Sequence, residues 1–233
     1  MKRLINYLKC ILVFIALISC TSDDSNTEGV GVGPGTQNIR ATYKITFEPI
    51  FSTQFHPTDY PDDAQFIQPF IIVHSENTEI FSEGSFASDE LEQYVEDGIK
   101  TGLIQANAGS ELAPTSVLSV LDNVGPTETK EYTVTVTPDM PYVTFVTKIS
   151  PSPDWFLGVN SFYVVNDDDT LVEEMTYGLY AMDAGTDGGT TYLSDDIEES
   201  SVITLRKGYP LSTVANQTGK ALGALKFERV HSN

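Results

Sequence analysis

Only two cysteines occur in the 233 residues, Cys10 and Cys20, both near the N-terminus. No disulfide can staple the remainder, so the chain beyond them must hold by its core alone, which its length allows. Positive charge is equally scarce: 13 Lys and Arg stand against 33 Asp and Glu, a formal net charge of −20. Such a surface repels phosphate backbones and anionic headgroups, and nucleic acid is not an expected partner. There is one tryptophan, Trp155, and the histidines are His56, His74 and His231. Beyond Cys20 no thiol nucleophile exists, and no G-x-S-x-G, H-E-x-x-H or phosphate-cradling loop occurs. Catalysis needs grouped acid, base and orienting residues, so no enzyme is expected.

What is present begins with a leader. Lys2, Arg3 and Lys9 form a basic start, Cys10 to Ile18 an apolar run too short to span a bilayer, and Leu17-Ile18-Ser19-Cys20 has the spacing of a bacterial lipoprotein cleavage box. Residues 1–19 therefore read as a cleaved signal peptide and Cys20 as the lipidated first residue. This predicts a protein lipid-anchored in a bacterial cell envelope, at the outer membrane and exposed on the surface. Residues 20–40 are rich in Gly, Ser, Thr and Asp without an apolar period, and read as a flexible tether. Asp23 and Asp24 are similar to the short acidic export signals of surface-directed lipoproteins. Without Lys2, Arg3 and Lys9 the excess of acid is larger still, which suits solubility and also cation binding.

Residues 41–233 read as one domain. Tyr43, Ile45 and Phe47 alternate with Lys44, Thr46 and Glu48, the period of a half-buried strand, and Phe70 to His74 is a short buried one. Ser88 to Glu90 opens a helix, with serine as N-cap, acids in the first turn, Leu91, Tyr94 and Val95 on one face, and Gly98 as C-cap. Residues 103–113 show no firm period, and 117–121 read as a strand. From residue 130 strands are expected at 130–137, 142–149, 156–165, 174–181, 201–206 and 222–230, separated by turn signals such as Pro138-Asp139-Met140-Pro141 and Asn166-Asp167-Asp168-Asp169. Short strands so punctuated indicate an all-β sandwich with one helical insertion.

Two stretches organise this domain: Ser150-Pro151-Ser152-Pro153-Asp154-Trp155-Phe156-Leu157-Gly158-Val159 and Asp183-Ala184-Gly185-Thr186-Asp187-Gly188-Gly189. The prolines force an extended approach to Asp154. Adjacent strands can bring Asp154 and Asp183 to one end of a sheet, where Ca2+ favours an oxygen cluster that Asp187, backbone carbonyls and water could complete. The plainer alternatives are a turn residue bonding its own backbone for Asp154, and a glycine-rich hairpin loop for Asp183 and Asp187. Trp155 reads as core, with a sugar-stacking platform as its alternative. His56 beside Asp59 reads as a loop lock under aromatic rings.

These stretches, with Phe55-His56-Pro57-Thr58-Asp59-Tyr60-Pro61 and the helix from Ala87-Ser88 to Glu96-Asp97-Gly98, resemble the spondin domain family, the N-terminal domain type of F-spondin and mindin. The resemblance runs in order through about four fifths of the chain. It implies an eight-stranded antiparallel sandwich similar to C2 domains, and a divalent cation held by the aspartates matching Asp154 and Asp183 with a glutamate on a preceding strand. Ungapped counting puts that glutamate's position at Thr135; Glu131 lies on the same strand. It also implies adhesion or extracellular recognition of a protein or glycan ligand at the cell surface. A glycan-binding lipoprotein for polysaccharide capture is the alternative.

Overall fold

The computed structural model describes residues 40–109 and 114–231. The expected leader, Cys20 and residues 20–39 of the tether lie outside them. Along the chain come β1 (Ala41–Pro49), β2 (Gln65–His74), α1 (Asp89–Asp97), α2 (Thr101–Ala106), β3 (Thr115–Ser119), β4 (Lys130–Val136), β5 (Tyr142–Ser150), β6 (Trp155–Tyr163), β7 (Glu174–Leu179), β8 (Met182–Asp183), β9 (Thr204–Leu205) and β10 (Gly223–Val230). They build two antiparallel sheets, β4-β1-β10-β7 and β3-β2-β5-β6-β8-β9. The expected sandwich is present. Its ten described strands include β8 and β9, each only two residues long, and residues 101–106 form a second helix where no period was legible. With Leu103 its only buried member, α2 offers no repeat to read.

The sheets pack face to face. Tyr43, Ile45 and Phe47 from β1 and Phe227 from β10 meet Phe66, Phe145, Trp155 and Leu157 across the interface. Phe47 stands edge-on to Phe66 at 5.1 Å, as offset aromatic pairs prefer. The other face of the six-stranded sheet is covered at one end by the helices, which press Leu91, Tyr94, Val95 and Leu103 onto Phe70, Ile72, Val146 and Phe156. Helix α1 forms as the sequence indicates: Ser88 Oγ accepts from Leu91 N at 3.2 Å, and Gly98 ends the helix in the left-handed region at φ 74°.

Two β-bulges decide which side chains face which layer. In β2 an extra residue lies between Ile67 and Phe70, opposite Lys148 and Val146 of β5. Phe66 therefore shares the inter-sheet core with Ile71, while Phe70 turns to the helices. The bulge carbonyl of Ile67, which is part-buried, accepts from Tyr94 Oη at 2.8 Å and Thr147 Oγ1 at 3.0 Å and is thereby satisfied. In β6 the extra residue lies between Val159 and Phe162, at Ser161, whose φ is 52°. Strict alternation from Trp155 would point Tyr163 into the core. The bulge reverses the faces: Phe162 packs inside against Phe227, and Tyr163 stands outside beside Tyr142.

Candidate functional site

Asp154 enters β6 through the proline turn, and β8 pairs beside it with Trp155 opposite Asp183. The two expected carboxylates thus flank the same strand end. Asp154 is fully buried. Its Oδ2 accepts from the backbone N–H groups of Thr186 at 2.9 Å and Asp187 at 3.2 Å, which ties the glycine-rich loop to the proline turn. Its Oδ1 has no protein partner. Burial raises the Asp154 pKa, against the pull of those N–H donors. Asp183 Oδ1 accepts from Gly185 N at 3.1 Å, and burial followed by repulsion from Asp154 pushes its pKa up to about 6.

The loop needs its glycines for closeness. Gly185 has φ 75°, and a Cβ there would meet the Ser201 carbonyl oxygen at 2.6 Å; a Cβ on Gly189 would meet Pro153 at the same separation. Asp187 is 6% exposed, and its Oδ1 is committed to Gly189 N at 2.8 Å and Ile197 N at 3.1 Å. It supports the loop's own backbone while lining a 440 Å³ cleft with Glu96, Lys148 and Asp196. The hairpin-loop alternative therefore describes Asp187 well, whereas Asp154 bonds a distant loop rather than its own turn.

Two basic groups, not singled out in the sequence, complete the surroundings. Lys148 on β5 is 5% exposed, and its ammonium donates to the carbonyls of Val95, Ser152 at 3.1 Å and Pro153 at 3.3 Å. Burial pushes its pKa down to about 8, opposed first by Asp154. Arg206 lays its guanidinium over Trp155, 4.6 Å from the ring centroid, with Nε 3.7 Å from Asp183 Oδ2. Trp155 is fully buried, as its core reading requires. A lysine inside the Tyr142–Ser150 run of apolar and β-branched residues was the available signal for Lys148. Arg206 gave none.

The remaining expectations fall elsewhere. Glu131 and Thr135 lie on β4, in the other sheet, where Glu131 pairs with Lys44 at 3.2 Å and Thr135 lies opposite Thr42. His56 is buried edge-on to Phe51 at 5.4 Å, consistent with a loop lock. Asp167 to Asp169 form an exposed turn. Among the described residues no three His, Cys, Asp or Glu side chains converge as a metal-holding group. Asp154 and Asp183 alone fit a hard cation that tolerates carbonyl and water ligands; they do not fit tetrahedral zinc.

Fold and loops together define a two-sheet antiparallel sandwich with acidic loops drawn to one end. The family model described as Spondin_N matches residues 41–215, and the chain belongs to that family, the spondin N-terminal domains. It is 31% identical over 163 residues to Spondin-2 of Rattus norvegicus, a match covering 66% of this chain and 48% of that protein. It is 28% identical over 186 residues to Spondin-1 of Gallus gallus, covering 73% of this chain and 23% of that protein. The chain thus spans about half the length of Spondin-2 and less of Spondin-1.

Proposed function

We propose that this domain acts in extracellular recognition or adhesion without catalysis, and that a calcium ion held by Asp154 and Asp183 fixes the loops that present its binding surface. The observation that supports the ion is Asp154 Oδ1, a buried carboxylate oxygen without a donor, adjacent to a second carboxylate that it repels. Burying such an atom unpaired is costly, and a divalent cation relieves both the orphaned oxygen and the repulsion. Backbone carbonyls and water supply the rest of the shell. Asp187 holds the loop from behind rather than ligating through Oδ1.

Thermal unfolding of the full chain in detergent, with calcium titrated against chelator, tests this reading. Ligand that binds only the folded state stabilises by RT ln(1 + [L]/Kd), about 2.7 kcal/mol at a hundred times Kd, which is a rise of a few degrees. The rise should vanish in Asp154→Asn and Asp183→Asn. A calcium-independent melting temperature in the wild type, with folding intact, would overturn the calcium reading. The envelope location is proposed with it, through a lipid on Cys20; metabolic labelling with palmitate should be abolished by Cys20→Ala. Glycan capture through Trp155 is not favoured, because that ring lies in the core beneath Arg206.

A further inference from the structure

The opposite end of the six-stranded sheet carries an aromatic stack. His74 of β2, Tyr142 of β5 and Tyr163 of β6 stand side by side across three strands, with centroids 5.8 and 4.8 Å apart and rings inclined by 18° and 30°. The innermost ring is fixed. His74 is fully buried, its Nδ1 donates to the Ser75 carbonyl at 2.8 Å, and Thr144 Oγ1 lies 2.9 Å from its Nε2. The same Thr144 hydroxyl accepts from Ser161 N at 2.8 Å, which pins the β6 bulge that turns Tyr163 outward. The outermost ring is open: Tyr163 is 40% exposed, and its described ring contacts end at Tyr142.

This stack borders a cleft of about 580 Å³, the size of a small-ligand site. Ser75, Glu76, Asn77 and Asp139 supply its polar wall, and prolines supply much of the remainder. Ser75 is more than nine-tenths buried, and its hydroxyl has no partner. The lining contains no basic residue, which excludes sulfated or uronate ligands as a fit.

We propose that the Tyr142–Tyr163 cleft binds an uncharged saccharide. One face of a pyranose presents C–H groups that pack on the exposed Tyr163 ring, while its hydroxyls donate to the Glu76 and Asp139 carboxylates and exchange hydrogen bonds with Asn77. Burial first, then Tyr163, and last Glu76 raise the Tyr142 pKa, so a carboxylate lies near that phenol. A rigid platform suits a ligand whose own ring is rigid, since little side-chain freedom is lost on binding. This site does not depend on the calcium reading, because it shares no residue with the acidic loops.

The test is retention of the full chain, in detergent, on immobilised hexasaccharides of β-1,4-glucan, β-1,3-glucan, xylan and mannan, with heparin and a proline-rich peptide as controls. At least one neutral hexasaccharide should bind, with affinity lowered about tenfold in Tyr163→Ala and lowered again in Asp139→Asn. Far-UV circular dichroism of both variants should match the wild type, because both side chains are exposed. The emission of Trp155 should not change on binding, since the ring lies at the other end of the sheet. No neutral hexasaccharide retained, retention indifferent to Tyr163→Ala, or capture of heparin or the peptide instead would each overturn the proposal.

Discussion

The two ends of the six-stranded sheet solve the burial of polar groups in opposite ways. At the Trp155 end, carboxylates, a lysine and an arginine are sunk among aromatic rings, and each charged group shifts the ionisation of its neighbours. At the Tyr163 end the buried polar groups are neutral, a histidine, a threonine and a serine, and the carboxylates Glu76 and Asp139 stay in solvent. The first arrangement stores repulsion that a cation can relieve. The second holds an open surface still while placing no charge inside. Rigidity at the acidic end is thus expected to depend on what is bound there, and at the aromatic end to be intrinsic.

The contrast can be broken most severely at Trp155. Trp155→Ala removes the largest fully buried side chain and the seat of Arg206 together, and should cost about 3–5 kcal/mol in denaturant unfolding. Calcium should come next: wild-type protein gains about 2.7 kcal/mol at saturating calcium, while Asp154→Asn gains nothing. The pH dependence sharpens the same end. Asp183 is raised from 3.8 to about 6, so in chelator its contribution is fully present below pH 4 and is lost as pH rises through 6. That loss is on the order of 2–3 kcal/mol and should disappear in Asp183→Asn.

Lys148 runs the other way. Its pKa is depressed from 10.5 to about 8, so the folded state binds fewer protons than the unfolded one between these values, and stability should recover as pH climbs through that window. Chelated protein should therefore be least stable near neutral pH, and calcium should fill that trough. A flat melting temperature between pH 4 and 8 in chelator would show that neither burial nor repulsion penalises the charged groups at the acidic end. The smallest effect belongs to the aromatic end, where Tyr163→Ala should cost under about 1 kcal/mol, the value of one partly exposed stacking contact, with no dependence on calcium.

Local signals were legible wherever local physics decides the outcome. The Ser88 and Gly98 caps, the alternation through Tyr43, Ile45 and Phe47, and the turn at Asp167 to Asp169 are each set by neighbours along the chain, and each stands as read. Asp154 and Asp183 were found because proline and glycine mark their loops. The bulges at Ile67–Phe70 and Ser161 were not legible, since each is fixed by a hydroxyl from another strand or helix, Tyr94 and Thr147 for one and Thr144 for the other. A period-two reading carries on through a bulge and assigns every later side chain to the wrong face. This is why Tyr163 drew no notice. The glutamate sought on a preceding strand failed for a related reason: counting along the chain cannot tell that β4 belongs to the opposite sheet.

The Ser161 bulge has one more effect. β8 pairs with only Trp155 and Phe156, so from Leu157 onward no described strand lies along the outer margin of β6. A long, straight margin of that kind is a template on which the strand of another molecule can add. With its extra residue and left-handed turn, Ser161 bends this margin out of register just where it runs free. The residue that aims Tyr163 outward thereby also disfavours pairing of this edge with a second copy of the chain.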